Sequence, residues 1–170
     1  ANLKQRGVEV KLKIMVPNVA YVEELREAKR IIQAVATEIY EREGVPQSDR
    51  NHQVGTMMEV PSAVLTSAEI AQEADFYSFG TNDLTQFTLG MGRDEAVRAL
   101  IPSYVTRGFF PANPFEQLDA RAVIQLIRLA VQEGRRVNPT LEIGICGEHG
   151  GNPASIALFL DAGLDYVSAS

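Results

Sequence analysis

The sequence has little of what disulfide-bonded, membrane-spanning or nucleic-acid-binding proteins require. Its 170 residues include one cysteine, which excludes an internal disulfide and fits a reducing compartment. It has no run of about 18 apolar residues and no charged-then-apolar leader at its start. The net charge is -6 and basic stretches are absent, so we expect neither nucleic acid nor membrane as a partner. We therefore predict a soluble, cytosolic protein, unless a segment upstream in a longer parent chain directs it to an organelle.

The hydrophobic pattern alternates between strand and helix. With 45% apolar residues, a chain of this length can form the core of one domain. The predicted strands are 8–16, 53–60, 76–79, 141–146 and 165–168. The predicted helices are 21–43, 67–73, 120–133 and 153–160. The alternation predicts an α/β fold with parallel strands and crossover helices, either an open doubly wound sheet or a (β/α)8 TIM barrel.

Three further segments refine the prediction of the fold. Residues 93–114 contain proline, glycine and paired phenylalanines, and we interpret them as an elaborated loop between a strand and a helix. Residues 1–6 resemble the tail of a helix, and the chain stops at Ser170 where a strand finishes. Because a barrel needs eight strands in roughly 250 residues, the five predicted strands indicate an excerpt of a larger domain.

Polar residues gather directly after three successive predicted strands. They are Glu59 after "GTMM", residues 81–83 after "FYSFG", and residues 146–149 after "LEIGI". The carboxyl ends of parallel strands share one edge of the sheet, which is where α/β folds bind ligands. The sequence therefore predicts that the three groups meet at one edge.

Each group also has a structural interpretation. A glutamate at a strand end is commonly a solvated surface residue, and "GTND" before a helix can be an N-cap. A single cysteine in a strand, here Cys146, is commonly a small buried hydrophobic residue. For His149 a structural hydrogen bond is the more common role. The functional interpretation depends on the three groups acting together.

Taken together, the groups predict a magnesium site and an acid. Glu59 and Asp83 could place two carboxylate oxygens on one Mg2+, which accepts one or two carboxylates and fills its octahedron with water and substrate oxygens. The spacing of His and Cys for zinc is absent. Mg2+ would polarise an α-keto acid and stabilise its enolate. Cys146, in a glycine-rich turn, could supply the proton that an enolate needs.

Four segments carry a resemblance to a known family. They are "GTMMEVPSA", "FYSFGTNDLTQFTLGMGRDEA", "NPFEQLD" and "LEIGICGEHGGNPASIALFLDAGLDYVSAS". Together they resemble the C-terminal phosphoenolpyruvate (PEP)/pyruvate-binding barrel of the pyruvate, phosphate dikinases. "SFGTNDLTQ" and "GICGEHGG" are the most specific of these motifs. The resemblance covers nearly the whole chain and implies about strands 4 to 8 of a barrel.

The resemblance also implies roles for individual residues. Substrate contacts fall on Glu59, Gly80, Thr81, Asn82 and Asp83, Mg2+ ligands on Glu59 and Asp83, and the proton donor to enolpyruvate on Cys146. The implied reaction interconverts ATP, phosphate and pyruvate with AMP, diphosphate and PEP through a phosphohistidine. The phosphohistidine and nucleotide-binding domains are absent from residues 1–170, and neither His52 nor His149 lies in a "TSHAA"-like stretch. An isolated excerpt is therefore expected to be inactive.

Departures and alternatives accompany this resemblance. Lys13 before "IMVP" stands where the family usually has glutamate, and Asn113 stands where aspartate is usual. Phosphoenolpyruvate synthase and enzyme I of the sugar phosphotransferase system share the pattern less closely. A Mg2+-dependent pyruvate aldolase would not need Cys146. A non-catalytic dimerisation module is the remaining alternative, because the family's barrel also forms a homodimer contact.

Overall fold

The described part of the protein is an α/β fold with one parallel sheet of five strands. The computed structural model describes residue 8 and residues 10–169. All four strand pairs are parallel, and the strands lie side by side in chain order. They are β1 (Leu12–Val16), β2 (His52–Met58), β3 (Phe76–Phe79), β4 (Glu142–Ile145) and β5 (Tyr166–Val167). The predicted α/β class with parallel strands is confirmed.

Helices connect the strands. They are α1 (Val22–Arg42), α2 (Pro61–Leu65), α3 (Ser67–Ile70), α4 (Thr81–Leu89), α5 (Arg93–Glu95), α6 (Ile101–Thr106), α7 (Val123–Val137) and α8 (Pro153–Asp161). A π-helical segment, Ala96–Leu100, joins α5 to α6, and short 3-10 turns cover Gln47–Asp49 and Glu148–Gly151. No described helix has the length and apolar character to cross a membrane.

The helices cover one face of the sheet. Alternate strand residues point to opposite faces. On the covered face most residues of β2, β3 and β4 are apolar and fully buried, whereas Ile14 and Val16 of the edge strand β1 are partly exposed. They pack with residues of α1, α7 and α8 in one core cluster, whose members include Val54, Tyr77, Phe79, Ile143, Ile145, Leu25, Ile124, Ile127 and Phe159. Burial of this surface is the main source of the fold's stability.

The opposite face, which we call the open face, has a different composition. By the strand register it carries Lys13, Met15, Gln53, Gly55, Met57, Phe76, Ser78, Glu142, Gly144 and Tyr166. None of these residues belongs to the core cluster that the helices form. Lys13 Nζ lies 2.5 Å from Glu142 Oε2 and 5.3 Å from the centre of the Phe76 ring. Polar, aromatic and methionine side chains therefore occupy the face that the helices do not cover.

The strand order bears on the two predicted layouts. A doubly wound sheet reverses its strand order at a switch point and carries helices on both faces. Among the described strands the order has no reversal, and the core cluster lies on one face only. The doubly wound layout is therefore not observed, and the sheet is compatible with consecutive strands of a barrel.

Segment 93–114 differs from its prediction as a loop. The segment begins with α5 and continues through the π-helical segment into α6, which ends at Thr106. Ile101 and Phe115 form a small separate cluster with Met91. Pro102 lies in the first turn of α6, where proline's missing N–H has no intrahelical partner to lose. The predicted loop is therefore helical in its first half.

The ends of the other elements differ from prediction by a few residues. β3 was predicted with its observed bounds, whereas β1 begins at Leu12, not at position 8. α7 begins at Val123 because Asp119 Oδ1 accepts the backbone N–H groups at the start of the helix. The prediction of a helix tail at residues 1–6 lies outside the described residues.

Candidate functional site

The ends of β2, β3 and β4 lie side by side and bring the predicted site residues to one edge of the sheet. Pairing runs to Met58 opposite Phe79 and to Phe79 opposite Ile145. The backbone N–H of Cys146 donates to the carbonyl of Phe79 at 3.2 Å. Glu59, the segment 80–83 and Cys146 each follow one of these strands. The predicted convergence at the C-terminal edge is therefore present.

Glu59 is a buried carboxylate. Its side chain is 2% exposed, and its Oε1 accepts the backbone N–H of Asn18 at 2.7 Å. Burial raises the pKa of the Glu59 carboxyl, the Asn18 hydrogen bond lowers it, and the nearby charge of Asp83 raises it again. The alternative of a solvated surface glutamate is wrong.

Asn18 is a site residue that the sequence reasoning missed. It follows β1 and has a φ of 54°, a left-handed conformation that asparagine tolerates better than most residues. In this conformation its N–H points to Glu59 across the β1–β2 pair. The only signal in the sequence was the Pro17-Asn18 pair after a strand, which is typical of any turn.

Gly80 leaves room for the Glu59 carboxylate. A Cβ at this position would overlap Glu59 Oε2, and it would lie 2.9 Å from the Met57 side chain. Any larger residue would displace one of the two. Gly80 therefore acts through its lack of a side chain, and it is also the N-cap of α4.

The N-terminus of α4 presents free backbone donors at the same edge. No side chain caps it within the described residues, so the alternative of Thr, Asn or Asp serving as an N-cap is wrong. The first N–H groups of a helix have no intrahelical partner and favour anions. Asp83 is exposed in this first turn. Asn82 Oδ1 is buried without a hydrogen-bond partner among the described residues. The turn can thus offer backbone N–H donors and one side-chain acceptor, Asn82 Oδ1, to a ligand.

Thr81 and His149 are both fully buried and bonded to each other. His149 Nδ1 lies 2.8 Å from Thr81 Oγ1, and His149 Nε2 lies 2.8 Å from the Pro114 carbonyl. Burial lowers the pKa of His149, which favours the neutral ring. The structural role considered for His149 agrees with these contacts. His52 lies at the opposite edge, at the start of β2, where its Nδ1 is 3.0 Å from the Tyr40 hydroxyl.

Cys146 is exposed at the end of β4. The alternative of a small buried hydrophobic residue is therefore wrong. Its Sγ lies 3.8 Å from the Phe79 carbonyl. Tyr166, half-buried on the open face, lies over Gly144 and interacts electrostatically with Cys146. The thiol is thus accessible beside the segment 80–83.

Arg93 connects the α4 side of the site to the segment after β4 that contains Cys146. We call this segment, residues 146–149, the cysteine loop. Its guanidinium pairs with Glu148 and also interacts electrostatically with Asp83. Glu148 raises the pKa of Arg93, which stays cationic. Sequence reasoning missed this residue because its partner lies 55 positions away. Arg93 adds the positive charge that two carboxylates at one edge require.

The donor set fits a hard cation better than a soft one. No group of three or more His, Cys, Asp or Glu side chains able to hold a metal occurs in the described part of the chain. The charge of Asp83 raises the pKa of the Glu59 carboxyl, and a cation would relieve this repulsion. Mg2+ commonly uses one or two protein carboxylates and takes its other ligands from water and substrate. The residues present therefore fit Mg2+.

Comparison with known proteins identifies the family. A family model described as "PEP-utilising enzyme, PEP-binding domain" matches residues 2–170. The chloroplastic pyruvate, phosphate dikinase of Mesembryanthemum crystallinum is 48% identical over 99% of this chain. Pyruvate, phosphate dikinase 1 of Arabidopsis thaliana is 47% identical over 100%, and pyruvate, phosphate dikinase 2 of Zea mays is 46% identical over 99%.

The matches also show how much of each relative's length this chain covers. The chain spans 17% of the length of the first two relatives and 19% of the third. The family resemblance found in the sequence is confirmed by the family model and by these identities. The chain belongs to the PEP-utilising enzymes and corresponds to their PEP-binding domain.

Proposed function

We propose that the chain is the pyruvate- and PEP-binding part of a pyruvate, phosphate dikinase. Its parent would interconvert ATP, phosphate and pyruvate with AMP, diphosphate and PEP through a phosphohistidine. The observation that carries the proposal is the meeting of three groups at one edge of the sheet. They are the buried Glu59 carboxylate, the uncapped N-terminus of α4 with Asp83, and the exposed Cys146 thiol.

Glu59 and Asp83 are the residues that would hold Mg2+. Burial and the proximity of Asp83 both disfavour the ionised form of Glu59, and a divalent cation would reverse that preference. When bound, Mg2+ supplies Lewis-acid polarisation of the α-keto acid and stabilises negative charge on its enol oxygen. Arg93 balances the remaining negative charge near Asp83.

The other residues would bind the substrate and move a proton. The free N–H groups in the first turn of α4 suit a carboxylate or phosphate group, and the unpaired Asn82 Oδ1 can accept a hydrogen bond from a donor beside it, such as a water molecule. Cys146 would donate a proton to the methylene carbon of enolpyruvate and take one from the methyl group of pyruvate in reverse. Thr81 would contribute its backbone, since its hydroxyl is already bonded to His149.

The finer architecture and the partners belong to the same proposal. The sequential sheet with one covered face suits about strands 4 to 8 of a (β/α)8 TIM barrel. Residues 1–170 would then be the C-terminal part of the PEP/pyruvate-binding domain. Its partners would be the phosphohistidine domain of the same parent chain and a second copy of the protein in a homodimer. The proposed location remains the cytosol. The description "chloroplastic" applies to the relatives that carry it.

Replacing Cys146 in the full-length dikinase tests the proposal. Cys146→Ala should abolish phosphoryl transfer between PEP and pyruvate while sparing the nucleotide half-reaction. General acid catalysis contributes about 10² to 10⁴-fold. Cys146→Ser should not rescue the activity, because a hydroxyl is a much weaker acid than a thiol. Equal residual activity in the two half-reactions would assign Cys146 a structural role and favour an aldolase-type or non-catalytic function.

A further inference from the structure

His149 is a fully buried residue whose polar contacts join the cysteine loop to neighbouring segments. The residue is 0% exposed, and both ring nitrogens lie 2.8 Å from partners on other segments. One partner, Thr81, begins α4, and the other, Pro114, precedes α7. A single side chain thus joins three segments at the C-terminal edge of the sheet.

The directions of its hydrogen bonds follow from the partners. The Pro114 carbonyl can only accept, so His149 Nε2 must carry the proton and donate it. In a neutral ring Nδ1 is then the acceptor, and the Thr81 hydroxyl must donate to it. The only hydroxyl proton of Thr81 is therefore used inside the protein, and its side-chain rotamer is fixed.

The same hydroxyl determines where the cysteine loop lies. A Cβ on Gly147 would overlap Thr81 Oγ1 and would lie 3.1 Å from the Thr81 backbone nitrogen, so the loop backbone packs directly against Thr81. One residue earlier, Cys146 N–H donates to the Phe79 carbonyl at 3.2 Å. The thiol is held between these two attachments. Its distance from the segment 80–83 therefore depends on the orientation of Thr81.

We propose that His149 is a positioning residue for the proton transfer at Cys146. By accepting the Thr81 hydroxyl proton while donating to Pro114, it fixes the separation between the thiol and the first turn of α4. The inference rests on the proposed function and adds a residue to its machinery. His149 touches neither substrate nor metal, so its effect should fall on kcat for the PEP half-reaction and not on KM.

Two substitutions separate the two hydrogen bonds of His149. In His149→Asn the amide Oδ1 occupies the position of Nδ1, three bonds from Cα, and can still accept from Thr81. In His149→Gln the amide Nε2 occupies the position of the ring Nε2 and can still donate to Pro114. The two variants remove a similar amount of ring surface. They differ in which partner each retains.

The experiment uses full-length dikinase carrying this chain, with both half-reactions assayed. His149→Gln should lower kcat of the PEP half-reaction by about 10² with KM unchanged, as misplacement by about 1 Å does. His149→Asn should retain activity within about threefold, given a retained Thr81 contact. The nucleotide half-reaction should be unchanged in both variants. His52→Asn, which removes the other histidine at the opposite edge, is the matched control and should behave as wild type.

Three results would overturn the proposal. One is wild-type kcat in His149→Gln. Another is equal loss in the Asn and Gln variants, which would assign His149 to general packing. The third is a parallel loss in both half-reactions, which would show that the effect of His149 is not confined to the site around Cys146. If wild-type enzyme lacks the PEP half-reaction, the proposed function itself fails, and that outcome is distinct from all three.

Discussion

The two faces of the sheet use the same five strands for different purposes. On the covered face Tyr77, Phe79, Ile143 and Ile145 are all fully buried against helices. On the open face the corresponding rows contain glycine, serine, methionine, glutamate and phenylalanine, and they end near Glu59 and Cys146. One face supplies the burial that stabilises the domain, whereas the other holds groups that burial alone would not favour.

The comparison separates two kinds of mutational effect. Substitutions on the covered face should reduce the stability of this domain, and any loss of the PEP half-reaction should follow the fraction of protein that is unfolded. Substitutions at the C-terminal edge of the open face should change the PEP half-reaction while the fold persists. The four predictions that follow test this separation, from the largest expected effect to the smallest.

Phe79→Ala should give the largest loss of stability. The side chain is 0% exposed in the main core cluster, so truncation leaves a cavity as well as removing buried apolar surface. A loss of about 3–5 kcal/mol in the free energy of unfolding is expected from such a change. Urea denaturation measures it. A loss below about 1 kcal/mol would show that the covered face does not form the main core.

Gly147→Ala should reduce both stability and activity. Its new Cβ would overlap the Thr81 hydroxyl, and the loop must move to relieve the clash. Overpacking of this kind costs about 1–3 kcal/mol. Thermal unfolding and the PEP half-reaction measure the two effects. Gly151→Ala is the matched control, because nothing lies within 4 Å of a Cβ at that position. Equal behaviour of the two variants would contradict the proposed packing of the cysteine loop.

Glu59→Gln should raise stability at neutral pH when divalent cations are absent. Because the pKa of Glu59 is raised in the folded state, its contribution to stability is present below the unfolded-state value and is lost as pH rises through the folded value. The variant should therefore be more stable than wild type at pH 7, and the difference should vanish in acid. Added Mg2+ should stabilise wild type alone. Equal stabilisation of both proteins by Mg2+ would contradict the metal assignment.

Lys13→Met should have the smallest effect. The Lys13–Glu142 pair is partly exposed on the open face, and exposed ion pairs contribute about 0–1 kcal/mol. Lys13 lies on β1 and away from the C-terminal edge, so both half-reactions should be unchanged within about twofold. Chemical denaturation and steady-state assays check this expectation. A selective loss of the PEP half-reaction would extend the functional site along the whole open face.

The sequence predicted the elements whose pattern is local. β3 is a short run of apolar residues and was predicted with its observed bounds, and α1 was predicted to within one residue at each end. The five-residue helix α2 and the helices of segment 93–114 were missed, because so few turns show no periodicity. Their stability comes from packing, which a local pattern does not encode.

For the site, the sequence identified the strand-end residues but not their connections. Parallel strands bring their carboxyl ends together at one edge of the sheet. The positions of Glu59, Asp83 and Cys146 could therefore be predicted because each follows one of these strands in the sequence. The Asn18 contact with Glu59 and the His149 contacts with Thr81 and Pro114 join residues 35 to 68 positions apart. Such contacts depend on the three-dimensional arrangement of loops, which no spacing rule supplies.

Exchange of the methyl protons of pyruvate in D2O tests the central claim most directly. With Mg2+ present, the full-length dikinase carrying this chain should exchange these protons, and ¹H NMR measures the rate without any phosphoryl transfer. Cys146→Ala should slow the exchange by at least about 10²-fold, as loss of a general acid–base group predicts, while Lys13→Met keeps the wild-type rate. Wild-type exchange in Cys146→Ala would contradict the assignment of the thiol as the proton-transfer group.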